Sequence, residues 1–158
     1  PSSDTPTHLV LYRAFGDIGG VVHTHSLYAT AWAQAKKEIL PLGTTHADYF
    51  YGPIPCTRCL TPDEITNEYE ANTGKVIVER FAEIEPMTLP AVLVAEHGPF
   101  TWGTDADAAV TVATSLEQVA KLAGETLRLH PYPKGISKEL LDKHFLRKHG
   151  PDAYYGQD

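Results

Sequence analysis

Two histidines, His23 and His25, stand two residues apart where an apolar run that begins at Gly20 comes to an end. Side chains alternate between the two faces of a β-strand, so in a strand both imidazole rings would point to the same side and could bind one metal ion. Such an ion could polarise a carbonyl group or stabilise an enolate. The spacing alone is a weak motif, because two histidines on an edge strand can also simply face solvent.

A third imidazole follows a second apolar run, residues 90–95, where His97 lies in the turn-forming sequence EHGP. Catalytic zinc commonly takes three protein ligands and keeps one position open for water or substrate. We therefore predict a metal centre formed by His23, His25 and His97. The alternative is that His97 only completes the turn.

Two hydroxyls and a carboxylate, from Ser2, Ser3 and Asp4, directly precede a predicted helix. Free backbone N–H groups and the helix dipole favour an anion at such a position, and the two hydroxyls suit a phosphate. Asp4 could equally be an ordinary helix cap.

Three further residues could transfer protons. Asp48 is a candidate general acid or base if it is buried near the metal, although an aspartate in a loop more often forms a turn. Tyr155 carries a phenol that could deliver a proton, but paired aromatic residues near a chain end more often anchor it. His144 lies in a charged helical stretch and is by default part of a solvated face.

Composition limits the classes of function. The chain has 158 residues, of which 42% are hydrophobic and 21% charged, so we expect residues 1–158 to form a single globular domain. A formal net charge of -7 argues against a nucleic-acid partner. No apolar run approaches the roughly 18 to 20 residues that cross a bilayer, and no signal-peptide pattern opens the chain. We therefore expect a cytoplasmic protein without a membrane partner, in which Cys56 and Cys59 are reduced thiols in a loop.

Hydrophobic spacing and capping residues predict alternating strands and helices. In the first half of the chain we expect a helix that starts with Thr5 as cap and runs to about Phe15, a strand at 20–25, a helix from Ser26 to Lys37 and a short helical turn within 44–51. In the second half we expect a helix from Thr61 to about Phe81 with a break near Gly74, a strand at 90–95, a long helix at 105–129 and a charged helix at 137–149. The buried face of the long helix should carry Val110, Ala113, Leu116, Ala120, Ala123 and Leu127. The pattern indicates a layered α/β fold.

Five segments together closely resemble the epimerase branch of the class II aldolase and epimerase family. They are PSSDTPTH at 1–8, HTHS at 23–26, GTTHADYFYG at 43–52, EHGPF at 96–100 and LLDKHFLRKHGPDAYYGQ at 140–157. The resemblance runs over essentially the whole chain. It implies a three-layer α/β/α fold with a mainly antiparallel central sheet, assembled as a cyclic homotetramer with active sites at the subunit interfaces.

The same resemblance implies roles for individual residues. His23, His25 and His97 would hold zinc or another divalent ion, with Asp4 as a further ligand or close neighbour. Asp48 and Tyr155 match the acid/base pair of the family, and His144 matches a histidine that reaches the site from a neighbouring subunit. Ser2 and Ser3 match part of a phosphate pocket.

The implied reaction interconverts L-ribulose 5-phosphate and D-xylulose 5-phosphate. The bond between carbons 3 and 4 would break by a retro-aldol step, the metal would stabilise the enediolate, and re-addition would invert carbon 4. Two alternatives stay open: a metal-dependent sugar-phosphate aldolase, and a non-catalytic metal-binding or scaffold protein of the same fold. Relatives carry a segment before the position of Pro1, so we expect the chain to be N-terminally truncated relative to the family.

Overall fold

The computed structural model describes residues 2–154, which contain seven helices and three strands. In chain order they are α1 (Thr5–Ala14), β1 (Gly20–His23), α2 (Leu27–Gln34), α3 (Thr44–Ala47), α4 (Pro62–Thr66), α5 (Tyr69–Arg80), β2 (Ala91–Val94), β3 (Gly98–Gly103), α6 (Ala106–Leu129) and α7 (Lys138–His149). Across this part of the chain, every helix is too short or too polar to cross a bilayer.

The three strands form one antiparallel sheet in the order β1-β3-β2. The central strand β3 is absent from the sequence-based prediction, because its first two residues, Gly98 and Pro99, are ones that normally mark a turn. On the outer side of β2, the amide of Leu93 donates a hydrogen bond to the carbonyl of Pro55 (2.9 Å), and the amide of Thr57 donates to the carbonyl of Leu93 (2.9 Å). The segment around Cys56 therefore covers this edge of the sheet.

Strand β2 is buried on both faces, and its residues alternate between two hydrophobic cores. Ala91 and Leu93 pack with residues of α2 and α6, whereas Val92 and Val94 pack with residues of α1 and α5. The sheet thus lies between two layers of helices. This arrangement, with its antiparallel pairing, confirms the predicted three-layer α/β/α fold.

Each core contains one of the two tryptophans of the chain. Trp102 on β3 is fully buried in the core of α1 and α5, and its indole N–H donates to the carbonyl of Pro86 (2.9 Å). Trp32 on α2 packs against the other core and donates to the carbonyl of Ala120 (3.0 Å). Trp102 can be fully buried and Trp32 partly buried because both indole N–H groups have acceptors.

The predicted break near Gly74 is wrong. The interruption falls between α4 and α5, where Glu68 adopts a left-handed conformation with φ 51°. Gly74 instead lies inside α5, where an added Cβ would stand 2.7 Å from the Cβ of Val10 on α1. The glycine marks a close helix–helix approach, not a helix end.

The end of strand β1 and the buried face of α6 also differ from prediction. Strand β1 ends at His23, so His25 lies beyond the strand. On α6 the buried face includes Ala109 and Val119, whereas the predicted core residue Val110 is 53% exposed. Three- and four-residue spacing fixes the period of a helix but leaves its rotation uncertain by one residue.

Helix α7 packs against α3 in the same chain. Ser137 caps its first turn by accepting a hydrogen bond from the amide of Leu140 (3.3 Å). The packing of α7 on α3 brings the charged face of α7 against Asp48, the residue that follows α3.

Candidate metal centre

Three imidazoles meet at the edge of the sheet where β1 ends and β3 begins. The ring centroids of His23, His25 and His97 lie 4.7 to 5.1 Å apart. Their potential ligand nitrogens all lie within 4.8 Å of one another. The two Nε2 atoms of His23 and His25 are 3.1 Å apart, and two nitrogens bound to one tetrahedral zinc ion would stand about 3.3 Å apart. The cluster therefore has the dimensions of a metal site.

The ring of His23 is held on both sides. Its Nδ1–H donates to the carbonyl of Pro99 (2.9 Å), and the ring stacks on Phe100 with centroids 4.0 Å apart and planes inclined by 15°. A proton fixed on Nδ1 leaves the lone pair of Nε2 free to bind a cation. Burial lowers the pKa of His23, which favours the neutral imidazole that a metal requires.

His25 reaches the cluster from a turn, so strand alternation does not explain its position. The turn passes close to Gly98, where an added Cβ would stand 2.9 Å from the carbonyl oxygen of Thr24 and 3.3 Å from Cδ2 of His25. A side chain at position 98 would push back the backbone of Thr24, which carries the neighbouring His25. Gly98 is therefore part of the site, although the sequence indicates it only as a turn residue.

His97 occupies the tight turn between β2 and β3. The turn includes Glu96 in a left-handed conformation, with φ 64°, and the amide of His97 donates to the carbonyl of Val94 (3.0 Å). Burial, followed by the nearby charges of His23 and His25, lowers the pKa of His97.

The hydroxyl of Tyr69, the first residue of α5, lies 3.4 Å from Nδ1 of His97. Burial raises the pKa of this phenol, and the charge of Asp4 raises it further. Tyr69 is absent from the sequence-based predictions, because nothing in the local pattern of α5 links it to a histidine 28 residues later.

Asp4 lies near the trio but outside the group of mutually close ligand atoms. Its charge partly offsets the larger effect of burial on the pKa of His23. Asp4 is the residue before α1, although its side chain makes no capping bond and accepts instead a weak hydrogen bond from the hydroxyl of Ser2 (3.4 Å). Ser2 and Ser3 are both exposed at this end of the helix.

Asp48 is the centre of a second polar cluster. Its carboxylate accepts hydrogen bonds from Nδ1–H of His144 (3.0 Å) and from the guanidinium of Arg147 (3.0 and 3.2 Å), and Nζ of Lys148 lies 3.5 Å away. Burial raises the pKa of Asp48, but the hydrogen bonds from His144 and Arg147 and the neighbouring positive charges outweigh it, so the net shift is downward. The carboxylate is therefore an anion at neutral pH.

The two clusters are built on different elements. The printed hydrogen bonds of the Asp48 carboxylate come from His144 and Arg147 on α7, whereas His23 and His97 are hydrogen-bonded to Pro99 and Tyr69. Asp48 and His144 were predicted as separate candidates, and the structure joins them by a hydrogen bond. Tyr155, the other predicted acid/base residue, lies outside the described residues.

Comparison with known proteins identifies several similar chains. The family model of the class II aldolase and adducin N-terminal domain matches residues 1–123. A curated relative from Salmonella paratyphi C (strain RKS4594), named L-ribulose-5-phosphate 4-epimerase UlaF, is 57% identical over 157 residues, which are 99% of this chain and 69% of the relative.

Solved structures show the same fold at lower identity. One named L-fuculose 1-phosphate aldolase has a TM-score of 0.71 at 23% identity and is matched over 91% of this chain and 62% of its own length. A second, L-fuculose 1-phosphate aldolase from Glaciozyma antarctica PI12, has a TM-score of 0.66 at 19% identity over 93% of this chain and 51% of its own. The chain thus spans between half and two thirds of these solved structures.

Proposed function

Because this chain belongs to the class II aldolase and adducin family, we propose that it is a metal-dependent sugar-phosphate 4-epimerase, an isomerase that interconverts L-ribulose 5-phosphate and D-xylulose 5-phosphate. The observation that carries this proposal is the identity of 57% over 99% of the chain to a relative named for this reaction. The three converging imidazoles support the metal dependence.

The metal would be held by His23, His25 and His97, with Asp4 as a further ligand or a nearby charge. Three imidazole nitrogens with room for substrate are a donor set typical of catalytic zinc, which is the ion we propose. When bound, a divalent ion supplies Lewis acidity to the carbonyl and hydroxyl oxygens of the substrate. The hydrogen bond from His23 to Pro99 and the space beside Gly98 orient the rings before any ion arrives.

Asp48 would take the proton from the hydroxyl at carbon 4 of the substrate. The carboxylate can accept a proton because it is an anion at neutral pH. His144 and Arg147 fix the orientation of the carboxylate through their hydrogen bonds. Tyr155 would serve as the second acid/base group, and Ser2 and Ser3 would contribute to binding the phosphate.

The position of the Asp48 cluster indicates how the site is completed. His144 was expected to enter the site of a neighbouring subunit, and it is hydrogen-bonded to Asp48 of its own chain. This pairing supports the proposal that the two residues act at the same site. We propose that Asp48 and His144 of one subunit serve the histidine trio of the next, in a homotetramer whose sites lie at the interfaces.

Two broader expectations belong to the same proposal. We propose that residues 1–158 form one domain. Because sugar phosphates are cytoplasmic metabolites, we place the enzyme in the cytoplasm.

The activity is tested by incubating the full-length protein and a divalent metal with L-ribulose 5-phosphate. Formation of D-xylulose 5-phosphate supports the epimerase. Accumulation of a free aldehyde fragment instead would identify an aldolase, and absence of both products in a protein that binds metal would identify a non-catalytic member of the fold. Metal analysis of the purified protein determines which ion is present.

The shared site is tested by mixing two inactive variants, Asp48→Asn and His23→Ala. We expect Asp48→Asn to retain metal and to lose turnover by about 100-fold or more, because a positioned base contributes on the order of 10² to 10⁴. If neighbouring subunits complete each site, reassembled hybrids should regain roughly a quarter of the activity through sites that combine the intact residues of both chains. Hybrids that form but stay inactive would show that each chain completes its own site.

A further inference from the structure

We propose that Tyr69 is a positioning residue of the metal centre, whose hydroxyl holds the ring of His97 so that Nε2 faces the other two histidines. The inference rests on the proposed metal function. A histidine that binds metal through one nitrogen usually donates the N–H of the other to a fixed acceptor, which sets the tautomer and the ring orientation. For His23 that acceptor is the carbonyl of Pro99, and for His97 the hydroxyl of Tyr69 lies 3.4 Å from Nδ1.

The place of Tyr69 depends on an unusual break in the helix. Helix α4 ends at Thr66, and Glu68 takes the left-handed conformation immediately before α5 begins at Tyr69. A residue with a side chain is strained in that conformation, and such strain persists only where surrounding contacts impose it. The side-chain amide of Asn72 provides these contacts, because it donates to the carbonyls of Glu64 (3.1 Å) and Asn67 (2.6 Å).

The start of α5 is also fixed against α1. The hydroxyl of Thr7 donates to the carbonyl of Glu70 (2.6 Å), and Gly74 lets the backbone of α5 approach Val10. The helix therefore cannot rotate away from the sheet without breaking these contacts. The ring of Tyr69 stays beside His97, with centroids 6.0 Å apart.

The test compares Tyr69→Phe with Tyr12→Phe in the full-length protein. Tyr69→Phe keeps the ring and removes only the hydroxyl, whereas Tyr12 on α1 is 41% exposed and serves as the matched control. We expect Tyr69→Phe to weaken Zn²⁺ and Co²⁺ binding by at least about 10-fold, the usual effect of losing an outer hydrogen-bond partner of a metal ligand. The visible absorption spectrum of the Co²⁺ protein should change, while the thermal midpoint in the presence of a chelator should stay that of the unchanged protein.

The outcomes separate this inference from the function on which it rests. If the unchanged protein binds no metal, or if His97→Ala binds as tightly as the unchanged protein, the proposed metal centre fails and the role of Tyr69 with it. If the unchanged protein binds one ion but Tyr69→Phe has the same affinity and the same Co²⁺ spectrum, only the role of Tyr69 is overturned. A weaker affinity with an altered spectrum, while Tyr12→Phe behaves normally, supports it.

Discussion

Gly98, the first residue of β3, lies beside the histidine trio and leaves space for the turn that carries His25. An added Cβ at Gly98 would stand 2.9 Å from the carbonyl oxygen of Thr24, closer than side chains approach, and 3.3 Å from Cδ2 of His25, a tight contact. Cε1 of His23 would be at an ordinary contact distance of 3.5 Å. The absence of a side chain at Gly98 therefore leaves space for the turn that carries His25.

We expect Gly98→Ala to weaken metal binding by about 10-fold or more, because the added methyl group must displace Thr24 or the ring of His25. Gly16→Ala is the matched control, since an added Cβ there meets nothing within 4 Å. Competition with a chromophoric chelator measures both affinities. Equal affinities for the two variants would show that the turn adapts without moving the ligands.

The ligand types could be predicted from the sequence, but the way they are positioned could not. The spacing of His23 and His25 indicates a shared target, yet His25 reaches it from a turn beyond the strand. Gly98 and Tyr69 act through contacts with residues distant in sequence, and local periodicity carries no information on such contacts.

Among the elements, α2 and α6 lie far apart in the sequence and are joined at the start of α2. Ser26 precedes the helix but its side chain makes no capping bond. The carboxylate of Glu117 on α6 accepts hydrogen bonds from the amides of Tyr28 and Ala29 instead, both at 2.9 Å. This carboxylate caps the helix that directly follows His25, so α6 helps to hold that segment in place.

Glu117→Ala should lower the free energy of unfolding by about 1 to 2 kcal/mol, because two amides at the start of α2 lose their acceptor. Glu125→Ala on the same helix is the control, since the side chain of Glu125 is 51% exposed and pairs with Arg128 at the surface. Glu125→Ala should change the free energy of unfolding by no more than about 0.5 kcal/mol. Urea unfolding measures the free energy of unfolding of both variants. If Glu117→Ala and Glu125→Ala lower it by the same amount, the capping role of Glu117 is contradicted.

The elements also show where prediction from sequence ends. The long helix α6 was predicted from its apolar spacing, and the structure adds its cap, because the side chain of Asp105 accepts from the amide of Ala108 (2.8 Å). Strand β3 was missed because it opens with Gly98 and Pro99. The break before α5 was placed at the only glycine of that segment, whereas it falls at Glu68, next to the carbonyls that the Asn72 amide binds.

For the molecule as a whole, one buried base links stability to pH. His46 in α3 is only 3% exposed, and its Nε2–H donates to the carbonyl of Gly52 (2.7 Å). Burial lowers its pKa to about 4. The folded protein therefore keeps this ring neutral at pH values where the unfolded chain would already bind a proton.

Stability should consequently decline on acidification. Because the folded pKa of His46 lies below the unfolded value, its contribution is complete above about pH 6.5 and is lost as the pH falls toward 4, by about 3 kcal/mol. His46→Gln can still donate to Gly52 but does not titrate. Between pH 7 and about pH 4.5, the free energy of unfolding measured in urea should therefore fall less in this variant than in the unchanged protein. An identical loss in both proteins would assign the pH dependence to other groups.

The two tryptophans, one fully and one partly buried, can serve as a pair of fluorescence probes. Trp32 and Trp102 lie on opposite sides of the sheet, each in contact with a different layer of helices. In a Trp102→Phe variant the remaining fluorescence reports only on the side of α2 and α6, and in Trp32→Phe only on the side of α1 and α5. Comparing the two melting curves shows directly whether the halves of the sandwich come apart together or one after the other.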